Sequence, residues 1–558
     1  MFRKARYYPS YFWNGKIMDI ANFLKRGIKI PPIFLFLSTM IIGVFLLSPY
    51  RDFQLLLAQG DHGRDLYAFE QTLKGAKPYK DYLWVYGPLM PYYYSLFYKF
   101  FGVTIHSILL GKMILQLSAG ALFYLALTCF VPALISMVGT VWFWTLMPDF
   151  FYTYNHWGGI VMLLALILSL FLYIKNPRLL YLGCGLMSIL VVSMIKINFG
   201  AGSLAAFVIS VFLIDLVSKN PRSQQKRYFY LTSILLIPSI IAFVYWLFLK
   251  GLPVYVLRQC LPYLRSDQPF NASMGTALII YGNTIWYNIK SNPINIIFAV
   301  IFNLCILQTA YVILKEKLGA RESKHIFLVL LILVLFSVMS LNEFLRSGVF
   351  YRTYWSKPFD MLCMFVIMAV ATGAFNKIIR FIFYVCILAM SLLHFIQDDQ
   401  LIRLAKIPSQ YFELERGKVY LGNRPEWIDT VRKTTEYLKT HLKENETFFA
   451  LAYDPLYYFL TGRTSPTRQL AIFKHANIPP EQEQEMITQL EEKKVNFVVL
   501  SNRAFAVEDP TLGVLGQTYC RLLAQYLNDH FKVVATFGDW QNPAGWGWNH
   551  GTKILERQ

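Results

Sequence analysis

Charged residues are scarce in this chain of 558 residues. Only 15% are Asp, Glu, Lys or Arg, and 56% are hydrophobic, whereas a soluble domain carries about 25% charged residues. A deficit of this size excludes an ordinary soluble protein, because it requires long segments that never meet water. The length also exceeds that of one soluble core and suits a membrane bundle with an additional domain.

Acidic residues are fewest before residue 397, where 13 of them accompany 34 basic residues. From residue 397 onward, 20 acidic residues balance 19 basic ones. Because nucleic-acid binding needs a basic patch on a soluble face, and the basic excess lies in the apolar part, we exclude nucleic acid as a partner. Membrane lipids with anionic head groups, or an anionic lipid-linked substrate, fit this distribution better.

Cysteine pairs with metal-binding spacing are also absent. None of the seven cysteines forms a C-x-x-C pair, which removes support for a zinc or redox centre. Asp149 and His156 could hold a divalent metal, but two ligands without a spacing signature do not indicate one. We therefore predict no metal site and no cofactor.

Long apolar runs, by contrast, are abundant. Residues 1–30 carry seven basic residues and one acidic residue, which predicts a cytoplasmic N-terminal segment. A first span follows at 31–49. Ten more runs are long enough to cross a bilayer: 107–130, 132–148, 158–174, 179–195, 198–217, 228–249, 293–315, 325–343, 358–376 and 378–396.

The loops support this arrangement. The short loops assigned to the cytoplasm are all basic, as the positive-inside rule requires: 175–178, 219–227, 315–324 and 377–380. We predict a polytopic α-helical membrane protein of the plasma or inner membrane, whose membrane part of about eleven transmembrane helices covers 31–396. The count could differ by two, because Lys196 interrupts 179–217 and the outer loop 250–292 is weakly apolar.

The C-terminal part, 397–558, has a different composition. Strand-like runs at 447–452, 496–501 and 531–537 alternate with helical patterns at 480–494 and 513–528. An odd number of spans places this part on the outer side. We predict a soluble extracytoplasmic α/β domain.

The first outer loop, 50–106, holds the densest set of charges near a span. Asp61 and Asp65 stand four residues apart and would share one face of a helix, about 6 Å apart. Two carboxylates so placed resist double ionisation, and a carboxyl with a raised pKa is a competent general base. His62 and Arg64 could orient or neutralise them. The alternative is a solvated, charged helix start.

Later residues of this loop resemble a known family. The pattern Gly75-Ala-Lys-Pro78-Tyr79-Lys-Asp-Tyr82, followed by Tyr86-Gly-Pro-Leu89 and an aromatic helix at 88–101, is similar to the first outer loop of GT-C-fold glycosyltransferases. These enzymes include the dolichyl-phosphate-mannose–protein mannosyltransferases and bacterial aminoarabinose transferases. The segment from Tyr453 to Arg468 resembles the soluble tail of bacterial members.

This resemblance implies a glycosyltransferase. Such an enzyme moves a sugar from a polyprenyl-phosphate carrier to a lipid, glycan or protein acceptor outside the membrane, with inversion at the sugar. It implies Asp61 as catalytic base, fourteen residues before Gly75. Family members usually carry an Asp-Glu pair here; this chain has His62 in the second position, so only the first acid is carried over and the role of Asp65 stays open.

Several basic residues lie on the outer side, against the usual inside bias. They are candidates for binding the donor phosphate, because the negative charge that develops on the leaving group needs cations already in place. They are Lys196, Arg258, Arg265, Arg346, Arg352 and Lys357. Candidates for contacts with the substrates are His62, Arg64, Tyr86, Asp149, His156, Trp157 and Glu343. The alternatives are Lys and Arg side chains that snorkel at span ends and ordinary loop structure.

Two other functions compete with sugar transfer. A flippase or transporter for lipid-linked oligosaccharides needs a polar cavity at mid-membrane and often shows repeat symmetry; no repeat is visible, and the charges gather at span ends. A non-catalytic membrane assembly protein would use its outer domain to bind a partner. The concentrated loop motif favours the enzyme.

Overall fold

The computed structural model describes residues 31–47, 58–146, 154–218, 223–261, 274–291, 293–314, 320–347, 350–373, 411–420, 425–505, 513–540 and 550–558, with the single positions 385 and 389. The predicted N-terminal segment 1–30 and the predicted span 378–396 lie outside these residues, apart from the two single positions. So do the candidate site residues Asp149 and Arg265.

Most of the described residues before 374 lie in helices. In chain order they are α1 Pro32–Leu46, α2 Gly63–Leu73, α3 Leu89–Phe101, α4 Ile105–Leu127, α5 Ala133–Leu146, α6 Asn155–Lys175, α7 Leu179–Ile195, α8 Ile197–Ser218, α9 Ser223–Leu249, α10 Val254–Cys260, α11 Met274–Ser291, α12 Pro293–Leu314, α13 Ala320–Ser340, α14 Asn342–Ser347 and α15 Lys357–Gly373. A π-helical turn, Ala58–His62, leads directly into α2. A 3₁₀ helix, Phe350–Trp355, precedes α15.

Several of these helices match the lengths that a bilayer requires. Among the described residues, four helical segments are long and apolar enough to cross a membrane: Ile105–Leu127, Asn155–Lys175, Ile197–Val217 and Lys324–Arg346. Shorter apolar helices lie at Pro32–Leu46, Ala133–Thr145, Leu179–Ile195 and Leu235–Leu249. The predicted helical architecture with several candidate membrane spans is thus confirmed, while the number eleven stays a prediction.

Two details of the span prediction are now clear. The predicted interruption at Lys196 is real, because α7 ends at Ile195 and α8 begins at Ile197. The loop 250–292 contains two helices, α10 and the 18-residue α11, and so is more ordered than a plain loop. The weak hydropathy of this segment gave no prediction of α11, which contacts the neighbouring helix α12.

The C-terminal part is a small α/β domain, as predicted. Its helices are α16 Pro425–His441, α17 Leu456–Thr461, α18 Pro480–Glu492 and α19 Arg521–His530; its strands are β1 Tyr411–Leu414, β2 Gly417–Tyr420, β3 Phe448–Leu451, β4 Phe497–Ser501, β5 Phe531–Gly538 and β6 Gly551–Arg557. Strands β1 and β2 form an antiparallel hairpin. The other four make a sheet in the order β3-β4-β6-β5, parallel only between β3 and β4.

The three predicted strands correspond to β3, β4 and β5. The hairpin and β6 were not predicted, and the helical pattern at 513–528 becomes a helix only from Arg521, because turns occupy residues 516–518. Positive φ angles at Gly513 and Gly516 are incompatible with a helix there.

The first loop and the C-terminal domain share one hydrophobic core. Helix α17 packs on α2, and the ring of Tyr98 stacks on Phe459 with centroids 6.2 Å apart. Arg416 Nη1 donates to Glu70 Oε2 at 2.8 Å, and the Leu83 amide donates to the Arg468 carbonyl at 2.9 Å. Residues about 350 to 385 positions apart in the chain therefore meet along α2, the loop after it and α3.

Candidate functional site

Three charged side chains meet where the π-helical turn passes into α2. Arg64 Nη1 donates to Asp61 Oδ1 at 2.8 Å, while Nη2 and Nε donate to Asp65 Oδ1 at 2.8 and 3.1 Å. The guanidinium also lies over the rings of Trp84 and Tyr86, 5.7 and 5.3 Å from their centroids, at cation–π distance. Local helical geometry thus lets one arginine bridge both acids.

The C-terminal domain adds a fourth group. The Tyr453 hydroxyl donates to Asp61 Oδ1 at 2.6 Å and accepts from Arg64 Nη1 at 3.0 Å. Tyr453 follows β3 directly and begins the segment that leads into α17. Sequence reasoning noted this segment only as part of a family resemblance and assigned it no site role; its pairing with Asp61 depends on tertiary packing.

The two oxygens of Asp61 differ. Both hydrogen bonds that the structure gives this carboxylate, from Arg64 and from Tyr453, end on Oδ1. Within the described ranges, no hydrogen bond reaches Oδ2, and the side chain keeps 24% of its surface exposed. One carboxylate oxygen is therefore held in place while the other is open to an incoming group.

Asp65 has the opposite character. Its side chain is fully buried, Oδ1 accepts from Arg64, and Oδ2 accepts from the Tyr154 amide at 3.2 Å. Burial raises the pKa of the Asp65 carboxyl to about 6, against the attraction of Arg64. A carboxylate with both oxygens occupied and no exposed surface is suited to anchoring Arg64, and we do not retain it as a base.

The loop after α2 connects this cluster to a second one. The Gly87 amide donates to the Ile195 carbonyl at 2.8 Å, at the end of α7. A Cβ on Gly87 would lie only 2.0 Å from the Met194 carbonyl oxygen, so only glycine permits this approach. Tyr86 is thereby placed beside Lys196, whose ammonium is 5.7 Å from its ring centroid.

The second cluster surrounds the break between α7 and α8. Lys196 Nζ lies 2.5 Å from Glu343 Oε1, and both side chains are nearly buried. Asn198 donates to the same carboxylate oxygen at 3.2 Å. Arg352 lies within electrostatic reach of Lys196 and Glu343, and the Lys196 ammonium is 5.0 Å from the Trp355 ring centroid.

A cleft runs beside this second cluster. It is small, with room for about one water molecule, and is bounded by Tyr86, Lys196, Tyr245 and Cys260, among others. Tyr86 borders the cleft and also contacts Arg64. One aromatic ring therefore separates the open Asp61 carboxylate from a buried cationic centre.

The remaining candidates fall into two groups. His62 is buried with its ring 4.9 Å from that of Tyr154, and His156 lies 4.9 Å from Trp355 and 6.3 Å from Tyr86. His156 is thus beside the second cluster, as is Trp355, a residue that sequence reasoning did not single out.

The other group lies elsewhere. Trp157 is 1% exposed and packs against Phe143 inside the helical core, so we do not retain it as a substrate contact. Arg258 and Arg346 are exposed. Lys357, the first residue of α15, has its ammonium 3.9 Å from the Tyr354 ring centroid. In the part of the chain that the structure describes, no group of three His, Cys, Asp or Glu side chains could hold a metal ion.

Comparisons by sequence return nothing: no family profile and no curated protein matches the chain. Comparisons of structure do. The crystal structure of ArnT from Cupriavidus metallidurans bound to undecaprenyl phosphate matches 94% of this chain and 97% of its own, with a TM-score of 0.54 and 11% identity. The archaeal oligosaccharyltransferase AglB from Archaeoglobus fulgidus, in complex with an inhibitory peptide and a dolichol-phosphate, matches 89% and 72%, with a TM-score of 0.52 and 12% identity.

The chain has the GT-C fold. The resemblance read from residues 75–89 is thus confirmed at the level of fold. In this GT-C chain the Asp61 cluster and the Lys196 cluster both border the loop that carried the resemblance. The identities are too low to transfer any residue's role, so those roles follow from the geometry alone.

Proposed function

We propose that this protein is a membrane glycosyltransferase that moves a sugar from a polyprenyl-phosphate donor to an acceptor hydroxyl or similar group on the outer side of the membrane. The observation that carries the proposal is the Asp61 carboxylate, fixed through Oδ1 and open at Oδ2, beside a cleft with a buried lysine. The GT-C fold supports it, and ArnT and AglB, which share that fold, were solved with undecaprenyl phosphate and dolichol-phosphate.

The chemistry needs one base and a cationic site. Asp61 Oδ2 accepts the proton of the acceptor group while the acceptor's oxygen bonds to the anomeric carbon. The bond from that carbon to the phosphate oxygen breaks, and its electron pair leaves with the phosphate. Attack opposite the leaving group inverts the anomeric carbon and yields the glycosylated acceptor and polyprenyl phosphate. Phosphate leaves readily, so no protein acid is required.

The second cluster suits the donor phosphate. Lys196 and Arg352 supply positive charge where the leaving group gains negative charge. Glu343 holds Lys196 in place and is itself held by a hydrogen bond from Asn198. One carboxylate against two cations leaves the site net positive. The rings of His156, Tyr86 and Trp355 contact one another beside this cluster, and we place the sugar against them.

Two measurements test the proposal without knowledge of the acceptor. Purified protein in detergent is given polyprenyl-phosphate-linked pentoses, aminopentoses and hexoses, and sugar release to water is followed by mass spectrometry. We expect release from at least one donor and its loss in Asp61→Asn, which remains folded. Full turnover by Asp61→Asn would refute the assignment of the base.

The second measurement is binding of undecaprenyl phosphate alone. We expect Lys196→Ala and Arg352→Ala to weaken binding about tenfold or more, and Arg346→Ala, which removes an exposed arginine of α14, to leave it nearly unchanged. Equal weakening by all three variants would point to general attraction by surface charge and against the proposed phosphate site.

A further inference from the structure

Tyr453 closes a ring of hydrogen bonds with Asp61 and Arg64. Arg64 Nη1 donates to both Asp61 Oδ1 and the Tyr453 hydroxyl, and the hydroxyl donates to the same Oδ1. Each of the three groups contacts the other two, so the position of Oδ1 is determined from two directions. One of those directions comes from a different domain, 392 residues away in sequence.

The tyrosine is held as a donor. Its side chain is largely buried, and burial raises the pKa of the Tyr453 phenol well above its ordinary value, although Arg64 opposes that effect. The phenol thus keeps its proton throughout the neutral range. The bond between them therefore runs from the tyrosine hydroxyl, as donor, to Asp61 Oδ1.

The backbone of the first loop is shaped to admit this ring. A Cβ on Gly60 would lie 2.9 Å from Tyr453 Cε1, closer than real Cβ contacts allow without movement of the ring. The residue before Asp61 therefore has to be small for the phenol to reach the carboxylate. Glycine at position 60 thus has a packing role in addition to its backbone freedom.

Contacts within the C-terminal domain hold Tyr453 in place. The next residue, Asp454, is fully buried and lies 3.6 Å from Arg503 Nη1, also buried. The Tyr453 ring packs on Phe473 with centroids 5.6 Å apart. A buried ion pair of this kind holds the backbone at residues 453–454 in one arrangement, because separating the two charges leaves each without compensation.

We infer that Tyr453 is a positioning residue through which the C-terminal domain completes the site: it holds Asp61 Oδ1 so that Oδ2 faces the acceptor. The inference rests on the proposed function and extends it, because it gives the domain a direct part in turnover. Removal of the phenol should misdirect the base and leave the donor site intact, since its hydroxyl bonds Asp61 and Arg64 whereas Lys196 pairs with Glu343.

The test compares two tyrosines at the same interface. Tyr453→Phe removes one oxygen and the bond to Asp61. Tyr67→Phe removes an equivalent phenol, which accepts from the Ser465 amide at 3.0 Å and joins the same two parts of the chain without contacting Asp61. We expect Tyr453→Phe to lower kcat for sugar release about 10- to 100-fold with KM for the donor changed less than about twofold, and Tyr67→Phe to change kcat less than about threefold.

A double-mutant cycle with Asp61→Glu separates positioning from a general effect on folding. This variant keeps the carboxylate but displaces it by about one methylene from the position that the phenol holds in the wild type. If Tyr453 acts through Asp61, adding Tyr453→Phe to Asp61→Glu should cost much less than it does in the wild type. An equal cost in both backgrounds, or unchanged kcat in Tyr453→Phe alone, would overturn the inference.

Failure of this inference is distinguishable from failure of the proposed function. Absence of sugar release from every donor by the wild type would overturn both. Release by the wild type that Asp61→Asn abolishes and Tyr453→Phe leaves unchanged would overturn only the role of Tyr453. The melting temperature of each variant, measured in the same detergent, shows whether a lost activity reflects unfolding.

Discussion

Arg64 is the residue whose removal should disturb the site most. Its guanidinium makes hydrogen bonds to Asp61, Asp65 and Tyr453 at distances from 2.8 to 3.1 Å. Arg64→Ala leaves the Asp65 carboxylate fully buried with only the Tyr154 amide as a partner. Removing one partner of a buried ion pair costs about 3–5 kcal/mol, so we expect a large loss of stability as well as of turnover.

Arg64→Lys keeps the positive charge but loses the planar guanidinium with its several N–H donors. A single ammonium can approach one or two of the three oxygens, whereas the planar guanidinium contacts all of them. Each hydrogen bond to a charged group contributes about 1.5–3 kcal/mol. We therefore expect Arg64→Lys to fold but to lose about 2 kcal/mol of stability, with turnover reduced about 10- to 100-fold.

A matched control lies at the same interface. Arg416 donates to Glu70 at 2.8 Å, but its side chain is 23% exposed and Glu70 retains Lys74 at 2.9 Å. Exposure and a second cation reduce the cost of Arg416→Ala to about 1 kcal/mol or less. Denaturation in detergent and sugar release are measured for all three variants. If Arg64→Ala were no less stable than Arg416→Ala, the reasoning about the buried charges would be wrong.

Three further predictions concern the surroundings of the two clusters. Gly87→Ala should lower stability by about 2 kcal/mol or more and weaken binding of undecaprenyl phosphate, since its Cβ meets the Met194 backbone; an unchanged melting temperature would contradict this. Glu343→Gln should slow turnover about tenfold because it loosens Lys196, as a kcat series would show. Sugar release should fall as pH drops through about 6, because Asp65 gains a proton there and holds Arg64 less firmly. In Asp65→Asn this fall in sugar release should be absent.

The sign of the effect on stability differs from that on turnover. The folded-state pKa of Asp65 lies above its unfolded value, so the folded protein binds this proton more tightly. The group therefore contributes stability that is fully present below the unfolded pKa of 3.8 and is lost as pH rises from there through about 6. A melting temperature that rose over this interval in the wild type but not in Asp65→Asn would contradict the assignment.

Much of the fold could be predicted from local features. Scarce charge, apolar runs and basic loops predict a multi-pass helical protein because a bilayer excludes polar groups from its interior. The interruption at Lys196 and the strands β3, β4 and β5 followed from similar patterns. Strand β6 and the hairpin β1-β2 were missed, since short strands near polar turns give a weak periodic signal.

The candidate site, like the fold, could be predicted from the sequence only in part. The spacing of Asp61, Arg64 and Asp65 determines that they meet, because residues three and four apart on a helical segment are neighbours. Nothing local distinguishes the two acids, however. In the folded core, Arg64 and the Tyr154 amide donate to the two oxygens of Asp65. Asp61, by contrast, keeps one oxygen open and 24% of its side chain exposed.

By itself, then, the sequence determined the helical architecture with apolar spans, the α/β composition of the C-terminal part and the acidic turn before α2. Each depends on hydropathy or helical spacing over a few residues. Only the tertiary structure brought Tyr453 to Asp61 and Gly87 to the break at Lys196. Those contacts join segments about 390 and 110 residues apart, and they depend on shape and burial in the assembled core, which no local pattern encodes.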